Sequence, residues 1–200
     1  MNPLTSVKGS LVTGFVLAIT FAVLAVDGGW NELGLARWLH IISGITWIGL
    51  LYYFNVVQIP ALADAAADKG GPGGAGIAKY VAPRALLWFR WSAVATWLTG
   101  AWYLLRAGNF AGAFTLGMTG DEFSAYQFVI GVGAWLGTIM LLNVWGLIWP
   151  NQKKVLGIVA ATDEQKAKAR KVAMLASRTN FVLSIPMLMC MAGAMHGVAF

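Results

Sequence analysis

The stretch Trp38-Leu39-His40-Ile41-Ile42-Ser43-Gly44-Ile45-Thr46-Trp47-Ile48-Gly49-Leu50-Leu51 opens a run in which no Asp, Glu, Lys or Arg occurs until Asp64. A helix crosses the roughly 30 Å of hydrocarbon in a bilayer with about 20 apolar residues, and this run exceeds that length. Comparable uncharged runs cover Gly9–Val26, Phe123–Gln152 and Thr179–Phe200. A shorter one, Trp91–Leu105, reaches spanning length if its helix starts near Ala85 and Arg90 snorkels its guanidinium back to the headgroups. Composition agrees, because 58% apolar residues, 11% charged residues and ten tryptophans do not describe a soluble domain. The expected fold is all-α: one domain over residues 1–200, a bundle of five transmembrane helices near 10–26, 38–60, 85–105, 124–149 and 178–198.

The first run follows Lys8 and has the outline of a signal peptide, but Asp27-Gly28-Gly29-Trp30 supplies no small-x-small cleavage site after it. It is therefore read as a helix. Charge then sets the orientation. With the N-terminus inside, twelve of the fourteen basic residues fall on the cytoplasmic face, from Lys8 through Lys69, Lys79, Arg84 and Arg90 to the Lys153–Arg178 group. Only Arg37 and Arg106 remain outside, which puts the C-terminus outside too. The net charge of +6 is what such loops carry and calls for no nucleic acid. Cys190 is the single cysteine, so disulfides, Cys-x-x-Cys metal sites and covalent heme attachment are excluded.

The connections are short. Lys69-Gly70-Gly71-Pro72-Gly73-Gly74-Ala75-Gly76 lacks the side chains to pack, and lacks the Gly-Lys-Ser/Thr ending of a phosphate loop. Thr162-Asp163-Glu164-Gln165 is a capping box that starts a basic helix continuing into the last span. Pro150 is expected to close the fourth helix and Pro186 to kink the fifth. Trp30, Trp38, Trp88, Trp149 and Phe110 fall near span ends, where amphipathic rings favour the headgroup level. Trp97 and Trp135 lie deeper, and Asn55, Gln58, Asn143 and Asn180 are expected to bond between helices.

His40 and His196 are the only histidines, and the charge count places both about one turn inside the same, outer face. Each has small residues at helical spacing: Ser43 and Gly44 follow His40, with Trp47 one heptad on, and Ala192 and Gly193 precede His196. A porphyrin clamped between two helices needs an imidazole from each and a recessed surface for the ring. Arg37, one turn outward from His40, suits a heme propionate. Such small residues also serve ordinary helix contacts, and an interfacial histidine also bonds headgroups or water. Met187, Met191 and Met195 recur every four residues beside Cys190, a soft-ligand set for Cu(I) as well as a common form of helix packing. No Ser-His-Asp, paired-carboxylate or His-x-x-x-His arrangement exists, so independent hydrolytic chemistry is not expected and no catalytic residue is assigned.

Four segments carry a family resemblance: Ala36 to Gly49, Trp88-Phe89-Arg90-Trp91 with Thr96-Trp97-Leu98-Thr99-Gly100, Gly137 through Asn143 to Pro150-Asn151-Gln152-Lys153-Lys154, and Asn180 through Pro186 to His196. They look like the N-terminal membrane domain of bacterial membrane-bound urate oxidases, here in a shortened, stand-alone version. Fuller members carry additional helices, a C-terminal cytochrome c domain and further histidines; here the loop before Lys79 is glycine-rich and Thr179 stands where a histidine is expected. The resemblance thus implies a redox membrane domain that retains His40 and His196, rather than urate chemistry itself.

The sequence leads to a membrane-bound electron-transfer subunit of a respiratory or oxidase assembly. The expected cofactor is heme b, bound by His40 and His196, with Arg37, Ser43, Gly44, Trp47, Ala192 and Gly193 around it. The lipid bilayer, a cytochrome c or oxidase subunit and further subunits are its expected partners. The alternatives are a cofactor-free accessory subunit and, more remotely, a copper-handling protein.

Overall fold

A computed structural model describes residues 2–25, 31–119 and 122–198. Trp30 and the segment around Asp27 lie outside the described residues, as does Val26 at the end of the first span. The chain divides into two units, Met1–Glu32 and Leu33–Phe200. In the first, Asn2 accepts the Leu4 N–H at 2.9 Å to start a 3-10 turn, and Ser6 Oγ accepts the Gly9 N–H at 3.0 Å. These side chains satisfy donors left free at a helix start. They lead into α1 (Val7–Ala25), whose 19 residues rise about 29 Å.

The second unit contains α2 (Glu32–Ala67) from its second residue on, α3 (Ala82–Arg106), the short α4 (Phe110–Phe114), α5 (Ala125–Val155) and α6 (Asp163–His196). No strand occurs among the described residues. α1, α2, α5 and α6 are long and apolar enough to cross a membrane. That makes four such helices among the described residues, where five were expected. α3 has the length, 25 residues, but Arg84, Arg90 and Arg106 dilute its apolar character.

The core follows helical spacing. Trp47, Leu51 and Phe54 of α2 meet Leu86, Phe89 and Ala93 of α3, Met140, Val144 and Ile148 of α5, and Ala176 and Met187 of α6. Residues three and four apart share a helix face, so each helix contributes one stripe. The buried stripe of α6 is mostly small or polar, running Ala169, Ala173, Ala176, Ser177, Asn180, Ser184, Met187, Cys190 and Gly193. Asn180 and Ser184 are wholly buried, while Ile45, Leu142, Val182 and Ile185 are exposed. Polar groups inside and branched aliphatics outside are favourable where the solvent is lipid.

Three helices widen into a π turn beside a proline. Tyr53–Gln58 precedes Pro60, Ile77–Val81 precedes Pro83 and Val144–Ile148 precedes Pro150. In each, the residue just before the proline donates its N–H five residues back: Ile59 to Phe54, Ala82 to Ile77 and Trp149 to Val144. Proline lacks an N–H, and its ring strikes the carbonyl four residues earlier in a regular α-helix. The wider turn relieves that clash. This corrects the expectation for Pro150, because α5 runs through it to Val155. α6 also continues through Pro186.

Arg90 has a partner in the next helix but one. Its guanidinium lies over the Trp149 ring, 3.9 Å from the centroid, joining α3 to α5. A cation stacked on an indole is stabilised by the ring quadrupole, by up to about 2 kcal/mol when desolvated. The capping box stands as read, with Gln165 N–H donating to Thr162 Oγ1 at 3.2 Å and Thr162 N–H to Gln165 Oε1 at 2.9 Å.

Candidate functional site

The candidate site lies where α2 meets α3. His40 Nδ1 is 2.8 Å from the Thr96 carbonyl oxygen. A carbonyl only accepts, so Nδ1 carries the proton and Nε2 presents the lone pair. Nε2 has no hydrogen-bond partner among the described residues. The ring lies against Gly100, where a Cβ would come within 2.8 Å of its Cε1 and Nδ1. Thr96 and Gly100, four residues apart, share the α3 face that receives the imidazole.

One turn outward, Arg37 donates from Nη2 to the Tyr103 hydroxyl at 3.1 Å, its guanidinium carbon 5.2 Å from that ring's centroid. One turn inward, a Cβ on Gly44 would stand 3.7 Å from Thr96 Cγ2, so α3 fills the recess there. Trp47 is 2% exposed, and its indole N–H has no partner. Buried donors are rarely left unpaired, but Trp145 Nε1 and the side-chain oxygens of Asn55 and Gln58 are buried without a partner as well, and Trp47 lies seven residues along α2 from His40. Ser43 is half-buried.

His196 is placed differently. It ends α6, is exposed, and makes no hydrogen bond, ion pair or ring contact among the described residues. Gly197 takes a positive φ of 83°, a conformation open to glycine, and returns the chain over α6. A Cβ on Gly193 would meet Val198 Cγ1 at 2.8 Å, so Val198 occupies the space that Gly193 leaves. Ala192 is exposed. The structure thus brings His40 together with Thr96 and Gly100, and Arg37 with Tyr103. None of the contacts described joins either group to His196.

The remaining candidates fall into helix packing. Met187 and Cys190 are buried, and a Cβ on Gly133 would approach Cys190 Cβ at 3.2 Å and Met191 Cε at 3.3 Å, so this sulfur face lies on α5. Met195 is exposed. No group of three or more His, Cys, Asp or Glu occurs among the described residues. Trp97 donates to Thr138 Oγ1 at 2.8 Å and Trp135 to the Phe114 carbonyl at 3.2 Å. Three of the four expected interhelical amides are found: Asn143 donates to Asn180 Oδ1 at 3.0 Å, Asn180 to the Met140 carbonyl at 2.9 Å, and Asn55 to Ser177 Oγ at 2.9 Å; Gln58 makes no such bond among the described residues, and its buried Oε1 has no partner. Sequence reasoning missed Thr96, Gly100 and Tyr103 as neighbours of the site. Thr96 and Gly100 form a small-x-x-x-small pair, which was the available signal for a close helix approach.

Residues 107–200 match the family described as urate oxidase N-terminal. That segment, a little under half of the chain, is similar to this family. The matched residues take in α5 and α6 with His196, whereas His40 and α3 lie before them. No curated protein and no solved structure matches the chain.

Proposed function

We propose that the protein is a membrane-bound redox subunit that holds a b-type heme through His40 and His196 and passes electrons within a respiratory or oxidase assembly. The observation that carries this reading is the state of His40. Histidines that ligate metals through Nε2 commonly donate Nδ1–H to a backbone carbonyl, which fixes the ring and raises its basicity. His40 does this with Thr96, and its Nε2 is uncommitted. His196, unbonded at the end of α6, supplies the second imidazole. Heme bound there would contribute a reversible one-electron couple. Arg37 holds positive charge one turn outward for a propionate, and Trp47 closes the inner side of the seam.

In this reading α3 crosses the membrane as a fifth span of the inner membrane of a bacterium, and the bias of twelve basic residues against two supports a cytoplasmic N-terminus. The C-terminus and both histidines then face outward, toward a cytochrome c or an oxidase subunit. The urate oxidase N-terminal match supports a redox setting. The test is the absorption spectrum of the purified protein, with a pyridine-hemochrome assay. A reducible heme band lost in both His40→Ala and His196→Ala is expected; no heme, or heme unaffected by both substitutions, would falsify the assignment.

A cofactor-free accessory subunit is the second reading. It is favoured by the way Thr96 and Val198 fill the recesses beside Gly44 and Gly193. It predicts a colourless protein that co-purifies with its complex.

A further inference from the structure

On the side of the α2–α3 pair, an open groove of about 630 Å³ runs between the two helices. Ile45, Gly49 and Tyr53 of α2 form one wall; Trp88 and Arg84 of α3, with Tyr80 from the π turn before it, form the other. His40 and Gly44 meet Thr96 and Gly100, so the helices run antiparallel, and Arg84 lies at the groove end nearer the linker. A Cβ on Gly49 would meet nothing within 4 Å, so the floor is open there. The groove is apolar along its length and cationic at one end.

That cation has no counter-ion. Arg84 is exposed, donates only to the Tyr80 carbonyl at 3.2 Å, and pairs with no carboxylate among the described residues. It is the one charged side chain lining the groove among the described residues. Lys79 adds a second positive charge nearby, its Nζ 5.4 Å from the Tyr80 ring centroid. A guanidinium matches the oxygens of a phosphate in bidentate geometry, and basic pockets between transmembrane helices suit anionic headgroups.

We propose that this groove seats an anionic phospholipid, with an acyl chain along Ile45, Gly49 and Tyr53 and its phosphate on Arg84. An amphiphile with a charged head and an apolar tail reproduces the groove's own polarity. Charge at Arg84 selects among lipids, and open space at Gly49 admits the chain. The proposal does not depend on a heme.

Native mass spectrometry of the full chain tests it, after detergent delipidation and addition of either phosphatidylglycerol or phosphatidylcholine with the same acyl chains. Preferential retention of one phosphatidylglycerol is expected. Arg84→Gln should weaken that binding about fivefold, the effect of one basic group at an anionic headgroup, and Arg84→Lys should weaken it less. Gly49→Trp should also displace the lipid, although it leaves both cations in place. Both sites are exposed, so the variants should fold, and circular dichroism checks this. Equal retention of phosphatidylcholine, or retention undiminished in Gly49→Trp because another helix or a second copy fills the groove, overturns the proposal.

Discussion

His40 lies in a seam between two helices, its Nδ1 2.8 Å from the Thr96 carbonyl and its ring against Gly100, whereas His196 ends α6, exposed and unbonded. In the sequence the two look alike, each with small residues three and four positions away on its own helix. In three dimensions those small residues do different things. Beside His40 they admit a second helix, and beside His196 they admit the chain's own Val198 after a glycine turn. Spacing within one helix shows where something can approach closely, and tertiary structure determines what does. One histidine is held by the fold; the other is available to it.

The contrast can be broken or sharpened by matched substitutions, followed by denaturation of the detergent-solubilised protein. Gly100→Leu should have the largest effect, because its first carbon already intrudes on the imidazole and more must follow; overpacking of this kind costs about 1–3 kcal/mol. Stability equal to the parent protein would mean that the seam is loose. His40→Ala should cost about 1 kcal/mol, the usual worth of one hydrogen bond, and should remove any heme band. Gly193→Ala should stay within about 0.5 kcal/mol, since the added methyl displaces only the terminal turn while improving helix propensity. His196→Ala should also lie within about 0.5 kcal/mol, as surface changes usually do. If His196→Ala removes a heme band without shifting the denaturation midpoint, the division between a structural and an uncommitted histidine is confirmed. A large loss of stability there would erase it.

Much of the helix order was legible because charge-free length is a one-dimensional property. The runs beginning near Gly9, Trp38, Phe123 and Thr179 overlap α1, α2, α5 and α6 over most of their length, and the Thr162 capping box marks the start of α6. Pro150 misled because the rule that proline ends a helix assumes an α turn, and a π turn before it removes the clash. The partner of Arg90 was not legible, because Trp149 is far away in sequence and only helix packing brings it near. Asn143 and Asn180 were legible as interhelical donors, being too polar to face lipid, but their pairing was not. For the site, His40 stood out by rarity. Its acceptor did not, since every residue has a carbonyl and none in the sequence marks Thr96.

The π turns beside Pro60 and Pro150 carry a consequence for how these rods present themselves. A π turn winds one extra residue into the helix, and each residue of an ordinary helix advances the face by about 100°. The part of α2 beyond Tyr53–Gln58 and the part of α5 beyond Val144–Ile148 are therefore rotated out of phase with what precedes them. A single rod thus shows one side to its neighbours near the histidines and another near the basic loops. Replacing Pro150 and deleting one residue from Val144–Ile148 together should restore a uniform phase, whereas either change alone should leave the two halves of α5 at odds with α6.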